Sequence, residues 1–131
     1  MDERRVMGRR SRGGWRQAFG RAAEKFAARH LESQGCRILA ERYRCRLGEI
    51  DLIVRDGDVV AFVEVKARRS SDFGDPVHAV DRRKQRRIIA TARDFLRQEG
   101  APGCACRFDV VSVRVRDGRA GATWLRDAFR P

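Results

Sequence analysis

The segment that most constrains the fold is 48–66, GEIDLIVRDGDVVAFVEVK, in which two runs rich in Ile, Val and Phe flank Asp56-Gly57. Runs of β-branched and aromatic residues of this length are typical of strands. Asp-Gly readily adopts the positive φ angles of a tight two-residue turn. The segment therefore predicts a β-hairpin with Asp56 and Gly57 as its turn residues.

The period of two along a strand predicts which side chains of this hairpin share a face. With the turn at Asp56-Gly57, Asp51 lies opposite Phe62, and Glu49 lies opposite Glu64. Residues opposite one another, and residues two apart on one strand, point the same way. One predicted face carries Glu49, Asp51, Ile53, Val60, Phe62, Glu64 and Lys66. The other predicted face carries Ile50, Leu52, Val54, Ala61, Val63 and Val65.

Three carboxylates and one lysine crowd one end of the first face. Like charges opposed across strands destabilise them, and a half-buried carboxylate needs a compensating cation. Lys66 can neutralise only one carboxylate, whereas a Mg²⁺ ion held by Asp51 and Glu64 would resolve the excess, because Mg²⁺ prefers oxygen ligands. The alternative is an exposed hairpin end with solvated charges. Apolar residues on both faces favour a strand pair covered on both sides.

Asp51, followed by Glu64-Val65-Lys66 on the next strand, resembles the core of PD-(D/E)XK nucleases. More closely, the motifs GEIDLI, FVEVKAR and RFDVV resemble the YraN family of small bacterial proteins, which is similar to archaeal Holliday junction resolvases. The resemblance extends from about Phe19 to Val113. It agrees with the predicted element order in indicating a restriction-endonuclease-like fold, a single α/β domain whose mixed central sheet is flanked by helices on both faces.

The resemblance also implies roles for the residues of the hairpin. Asp51 and Glu64, with the Val65 carbonyl, would hold Mg²⁺ or Mn²⁺, and Lys66 would orient a water molecule or stabilise developing charge. Glu24 resembles a helical glutamate that this family brings toward the metal. The alternative for Glu24 is a solvated side chain paired with a neighbouring arginine.

The charge of the chain predicts a polyanionic partner. The 131 residues include 30 Lys and Arg against 18 Asp and Glu, which gives a net charge of +12. Such an excess favours nucleic acid, with DNA as the first expectation, over an anionic membrane surface. No apolar run is long enough to cross a bilayer, and the basic N-terminus lacks the apolar segment of a secretory signal. The sequence therefore predicts a cytoplasmic protein.

One domain, 15–131, is predicted to follow a disordered basic tail, 1–14. The first helix is expected over Trp15–Gln34 and a strand over Cys36–Cys45. A loop is expected after Lys66. Further predicted strands are Arg107–Val115 and a short one, Ala122–Leu125, after a turn at Asp117-Gly118. Asp109 lies in the RFDVV stretch of the first of these strands, and a structural hydrogen-bonding role for it is as consistent with the sequence as a site role. The four cysteines are expected to be reduced thiols.

A second helix is predicted from the cap Asp81 to about Glu99, and its first two turns are strongly basic. Cations at a helix N-terminus oppose the helix dipole, so their accumulation there is unfavourable unless an anion binds. Phosphate groups would supply that anion. The predicted nucleic-acid-binding residues are Arg82, Arg83, Lys84, Gln85 and Arg86 of this helix, and Arg68 of FVEVKAR.

The leading functional hypothesis is a metal-dependent DNA endonuclease, with branched or junction DNA as a candidate substrate. The alternative is a nucleic-acid-binding module that retains the nuclease scaffold without turnover, although clustered acids facing phosphate would not help a pure binder. A weaker third hypothesis is an interaction protein for RNA or ribosomes. Whether two copies pair as a homodimer is left open by the sequence.

Overall fold

The computed structural model describes residues 12–69 and 80–131, with side chains at 18–68 and 80–131. The elements, in chain order, are α1 (Arg12–Ser33), β1 (Arg37–Cys45), β2 (Gly48–Asp56), β3 (Val59–Arg69), α2 (Arg82–Gln98), β4 (Cys106–Arg116) and β5 (Arg119–Phe129). The predicted tail falls mostly on residues 1–11, which lie outside the described part, and α1 already begins at Arg12. No helix in the described ranges is long and apolar enough to cross a membrane.

The five strands form one sheet in the order β1-β2-β3-β4-β5. The pairs β1/β2, β2/β3 and β4/β5 are antiparallel, and β3/β4 is parallel. A parallel pair needs a crossover connection, and the segment containing α2 makes that connection. The predicted single α/β domain with a mixed sheet is therefore confirmed.

The β2/β3 hairpin is present, but its register differs from the predicted one. Asp56 pairs with Val59, so the turn residues are Gly57 and Asp58, and Gly57 has φ 63°. Glycine at the first central position suits a tight hairpin turn whose second residue keeps a negative φ. As a result Phe62 lies opposite Ile53, and the predicted pairing with Asp51 is wrong.

Two sets of side chains alternate along β3 and form separate apolar clusters. Val60 and Phe62 pack with α2, whereas Ala61 and Val63 pack with α1. We call the strand surface carrying the first set the α2 face, and the surface carrying the second set the α1 face. The predicted buried residues of the second helix, Ile88, Ile89, Ala92, Phe95 and Leu96, are confirmed.

Two strands are longer than predicted. β3 continues to Arg69, so the expected loop does not begin directly after Lys66. β5 runs for 11 residues, Arg119–Phe129. Asp117 and Gly118 have φ 52° and 75°, the mirror-image turn that matches strand twist, which lets β4 and β5 pair along most of their length.

Gly48, at the start of β2, lies directly against α2. A Cβ atom at this position would lie 2.8 Å from Oγ1 of Thr91. Thr91 is buried, and its hydroxyl donates a hydrogen bond of 2.8 Å to the Arg87 carbonyl. The close approach fixes the first turns of α2 beside the beginning of β2.

We predict that Gly48→Ala destabilises the protein by about 1–3 kcal/mol, because the new methyl group overlaps Thr91 in a packed interface. Urea denaturation measures the change. The matched control is Gly20→Ala in α1, where no atom lies within 4 Å of the added Cβ. That variant should be unchanged or more stable by about 0.5–1 kcal/mol. Equal stability of the two variants would contradict the proposed contact.

Candidate functional site

Asp51 lies where the regular pairing of β2 and β3 stops. The antiparallel ladder runs from Asp56↔Val59 to Leu52↔Val63. At the next position the Asp51 carboxylate replaces a backbone acceptor, because its Oδ2 accepts a hydrogen bond of 2.8 Å from the Val65 N–H. This bond fixes the carboxylate beside β3.

The chain on the other side of Asp51 is also irregular. Arg42 of β1 has φ 54°, and the flanking pairs are Glu41↔Leu52 and Tyr43↔Ile50. β2 also departs from strict alternation, because Ile50 packs in the cluster with α2 and not, as predicted, with Leu52. The prediction for Ile50 is therefore wrong.

Glu64 of β3 is a buried carboxylate with one unsatisfied oxygen. The residue is 2% exposed, and its Oε1 lies 2.9 Å from Nζ of Lys84. Its Oε2 is buried and has no hydrogen-bond partner. Burial, followed by the nearby Asp51 carboxylate, raises the pKa of Glu64 to about 7. Burial also raises the pKa of Asp51, although the Val65 N–H and Lys84 oppose that shift.

Lys84 and Lys66 supply the positive charge of the site. Burial alone would lower the pKa of Lys84, but the Glu64 and Asp51 carboxylates raise it overall. Burial and the neighbouring Lys84 cation lower the pKa of Lys66, although Glu64 opposes this shift. The ion pair between Lys84 and Glu64 was not predicted from the sequence, which assigned Lys84 to phosphate binding.

A cleft of about 190 Å³ joins the two carboxylates to Lys84, and Lys66 does not line it. Its lining residues are Gly48, Glu49, Asp51, Glu64, Lys84, Arg87 and Ile88. Glu49 is not opposite Glu64 as predicted; it pairs with Arg44 in the ladder, and Arg44 Nε donates to its Oε1 at 2.7 Å. Among the described side chains, no three His, Cys, Asp or Glu residues form a metal-binding group. The arrangement offers two neighbouring carboxylates and a compensating lysine.

Glu24 of α1 lies at the margin of this site. Its Oε1 is 3.9 Å from Arg42 Nε, a weak ion pair. Burial and then the Asp51 carboxylate raise the pKa of Glu24, so the two acids sense each other electrostatically. Glu24 does not line the cleft that contains Asp51 and Glu64.

The predicted phosphate-binding residues have different environments. Arg82, Arg83 and Arg86 are exposed at the start of α2. Gln85 is half-buried and donates a hydrogen bond of 2.9 Å to the Val80 carbonyl, which gives it a structural contact. Arg68 is half-buried on β3. Asp81 caps α2, as predicted, by accepting from the Lys84 N–H at 2.8 Å.

Asp109 of β4 belongs to a separate network on the α1 face. It is fully buried and accepts hydrogen bonds from Arg107 Nε, Trp124 Nε1 and the Asp127 N–H, each at 2.9 Å. Arg107 also donates to Asp56 at 2.9 Å. Since both Asp109 oxygens are satisfied, this carboxylate is structural. The sequence did not predict the network, which joins residues of three strands.

In metal-free buffer we predict that Glu64→Gln stabilises the protein increasingly as pH rises. The Glu64 pKa is about 7 in the fold against an ordinary 4.5, so the fold favours the protonated form. That contribution is complete below pH 4.5 and is lost as pH rises through 7. Thermal melts between pH 5 and pH 8 measure the difference, with the exposed Glu32→Gln as control. A pH-independent difference between Glu64→Gln and the parent would contradict it.

Whereas Glu64→Gln is expected to stabilise the protein, we predict that Asp109→Asn destabilises it. Removing its charge leaves the guanidinium of Arg107, which is 18% exposed, with only Asp56 as a carboxylate partner. Breaking one side of a buried pair costs about 3–5 kcal/mol. Urea denaturation at pH 7 should show a loss of this order, and a loss below about 1 kcal/mol would be inconsistent with a structural network.

Comparison with known sequences identifies the family. Residues 23–113 match the model of "Uncharacterised protein family UPF0102". Relatives named UPF0102 protein from Nitrosococcus oceani, Pelotomaculum thermopropionicum and Solibacter usitatus are 45%, 47% and 48% identical over 112, 105 and 112 residues. The alignments cover 85%, 79% and 84% of this chain and 90%, 88% and 84% of the relatives. The chain therefore belongs to the UPF0102 family, the YraN-like family that its motifs resemble.

Proposed function

We propose that this protein is a divalent-metal-dependent DNA endonuclease of the PD-(D/E)XK type, with a restriction-endonuclease-like fold. The observation that carries the proposal is the buried, unpartnered Oε2 of Glu64 beside the Asp51 carboxylate. Branched or junction DNA is the substrate class that the similarity to Holliday junction resolvases suggests.

The residues of the cleft fit a Mg²⁺ or Mn²⁺ ion. Buried polar atoms almost always have a partner, so the Oε2 of Glu64 is an unusual group that a cation would satisfy. Asp51 and Glu64 would hold the ion, and carboxylate oxygens are the ligands that these metals prefer. When bound, the ion would lower the pKa of a water ligand and neutralise phosphate charge.

Lys66 is suited to act on the attacking water. It lies two residues after Glu64 on the same strand, and its pKa is lowered by burial and by Lys84. A lowered pKa makes proton exchange at Nζ easier near neutral pH. In the proposed reaction Lys66 orients the water and stabilises the charge that develops on the phosphate.

Lys84 compensates the negative charge of the site before substrate binds. Its ammonium group holds Oε1 of Glu64, which leaves Oε2 for a cation. The exposed Arg82, Arg83 and Arg86 surround the same end of α2 and would bind backbone phosphates. The net charge of +12 supports a polyanionic substrate.

One observation favours a second candidate, a DNA-binding module without turnover. Lys84 neutralises Glu64 at 2.9 Å without a metal ion, and the described side chains supply no third acidic ligand in the group. In that case the carboxylates would serve only to position the lysines toward phosphate. Metal binding and cleavage separate the two candidates.

We predict that Lys66→Ala abolishes Mn²⁺-dependent cleavage and leaves DNA binding within about twofold of the parent. A group that acts mainly in the transition state affects rate far more than ground-state affinity. Cleavage is measured on single-stranded, flapped and four-way substrates, and binding is measured in the presence of a chelator. Lys25→Ala, an exposed lysine on α1, is the matched control and should cut normally.

Parallel loss of cutting and binding in Lys66→Ala would make Lys66 a simple phosphate contact. Calorimetric titration with Mn²⁺ tests the site directly, because Glu64→Gln should remove the binding heat. Metal binding without cleavage of any substrate would favour the binding module.

A further inference from the structure

We propose that the β4–β5 hairpin forms a second phosphate-binding surface, which holds the backbone of a nucleic-acid strand as it leaves the cleft. This surface, the hairpin groove, is defined by Arg114, Arg116 and Arg119. The direction of the bound strand, away from the cleft, rests on the proposed function. Nucleic-acid binding by the groove can be tested without cleavage.

The strand register places the groove in line with the site. In the parallel β3/β4 ladder Glu64 pairs with Val110, Lys66 with Ser112, and Arg68 with Arg114. Residues two apart on a strand share a face and are about 6.6 Å apart. Phe108 and Val110 lie on the α2 face, so Arg114 and Arg116 lie further along the same face. The cationic row therefore begins at the cleft and continues for roughly 20 Å.

The hairpin also has the concave shape that a bound strand needs. An open depression of about 700 Å³ lies at its end, and its lining includes Arg114, Arg116, Asp117, Arg119 and Gly121. Gly121 pairs with Arg114, and no atom lies within 4 Å of a Cβ placed on it. The position opposite Arg114 on β5 is therefore open.

The arginines of the groove form no ion pair with the described side chains. By contrast, Arg107 and Arg126 of the same hairpin, and Arg130 just after it, each form an ion pair with an aspartate. Arg114, Arg116 and Arg119 are exposed, and none of them has an ion pair among the described residues. Three aligned guanidinium groups against one carboxylate, Asp117, form a cationic surface.

A nucleic-acid backbone is the occupant that fits best. Guanidinium groups bind phosphate in a bidentate manner, and a row of cations at regular spacing suits a chain of phosphates better than a single anion. Continuity with Lys66 and Arg68 gives the row a direction along β3 and β4. An acidic peptide or an anionic lipid surface would not require alignment with the carboxylate cleft.

The test compares the triple variant Arg114→Ala, Arg116→Ala, Arg119→Ala with a control of equal charge. The control is Arg29→Ala, Arg55→Ala, Arg93→Ala, three exposed arginines elsewhere. Fluorescence anisotropy with a four-way DNA junction is recorded at several salt concentrations in chelator. Each lost phosphate contact reduces the magnitude of the negative slope of log K against log[salt] by about 0.9. The magnitude of the slope should therefore fall by about 2–3 in the hairpin variant. The control should lose less than about 1 unit.

A second variant tests the groove without removing a cation. Gly121→Asp places a carboxylate opposite Arg114, in open space where the fold should tolerate it. It should weaken binding to the junction several-fold, while Gly121→Asn, which has the same size and is neutral, should not. Thermal melts of all variants confirm folding.

Equal salt slopes in the hairpin and control variants would overturn the inference, because only net charge would then matter. Binding to anionic vesicles or to an acidic peptide that depends on the hairpin arginines, with unchanged DNA binding, would also overturn it. If the parent cuts DNA and the hairpin variant binds normally, the inference fails and the proposed function stands. If the hairpin variant loses slope and the parent neither binds Mn²⁺ nor cuts, the groove stands and the proposed function fails.

Discussion

The buried carboxylate of Glu64 is the constraint on which the arrangement of this protein depends. Removing an ionised carboxylate from water costs several kcal/mol, so Glu64 can be ionised on β3 only if another element brings a cation to it. α2 provides that cation through Lys84, at 2.9 Å. The position of α2 is fixed in turn by the close contact of Gly48 with Thr91 and by a hydrogen bond of 2.6 Å from Tyr43 Oη to Asp94. Since apolar replacements of buried ion pairs are often as stable as the pair, stability alone does not explain why this carboxylate is present.

A comparison of the two buried carboxylates shows which one is available for chemistry. Asp109 is held on both oxygens by Arg107, Trp124 and the Asp127 backbone, so it has no capacity for a further ligand. Glu64 has one oxygen in an ion pair and the other without a partner. A fully satisfied network makes a core rigid, whereas a partly satisfied one is costly unless a ligand completes it. The β3/β4 ladder pairs Val63 with Asp109, which places the structural carboxylate on the α1 face and leaves the α2 face for the site.

The sequence predicted the elements and the faces better than the contacts. The period-two pattern of apolar residues and the Asp-Gly dipeptide were sufficient to predict the β2/β3 hairpin. The helical spacing of apolar residues was sufficient to predict the buried side of α2. The predicted register of the β2/β3 hairpin was wrong because Gly57 occupies the first turn position and not the second. Both Asp56-Gly57 and Gly57-Asp58 are suitable turn dipeptides, so the sequence does not distinguish the two registers. Ile50 was misplaced because β2 does not keep strict alternation between Ile50 and Leu52, and no local signal in the sequence marks that break. The ion pair between Lys84 and Glu64 depends on where the crossover connection places α2, and local sequence patterns do not determine that position. A lysine in the first turn of a helix that follows a carboxylate-bearing strand was nevertheless a signal from which the ion pair could have been predicted.

The distribution of charge places acids at the centre of the site and cations around it. In the proposed function the exposed arginines at the start of α2 would raise the local concentration of a polyanion, and low-dielectric walls around the site would strengthen their electrostatic field. Two ionised carboxylates at the centre would repel the same polyanion, so their charge has to be compensated locally. Burial and the nearby Asp51 carboxylate raise the pKa of Glu64, which favours its neutral form and so reduces this repulsion. In the proposed nuclease Asp51 and Glu64 would hold the metal ion, and its charge would attract phosphate, so that each would be bound more strongly in the presence of the other.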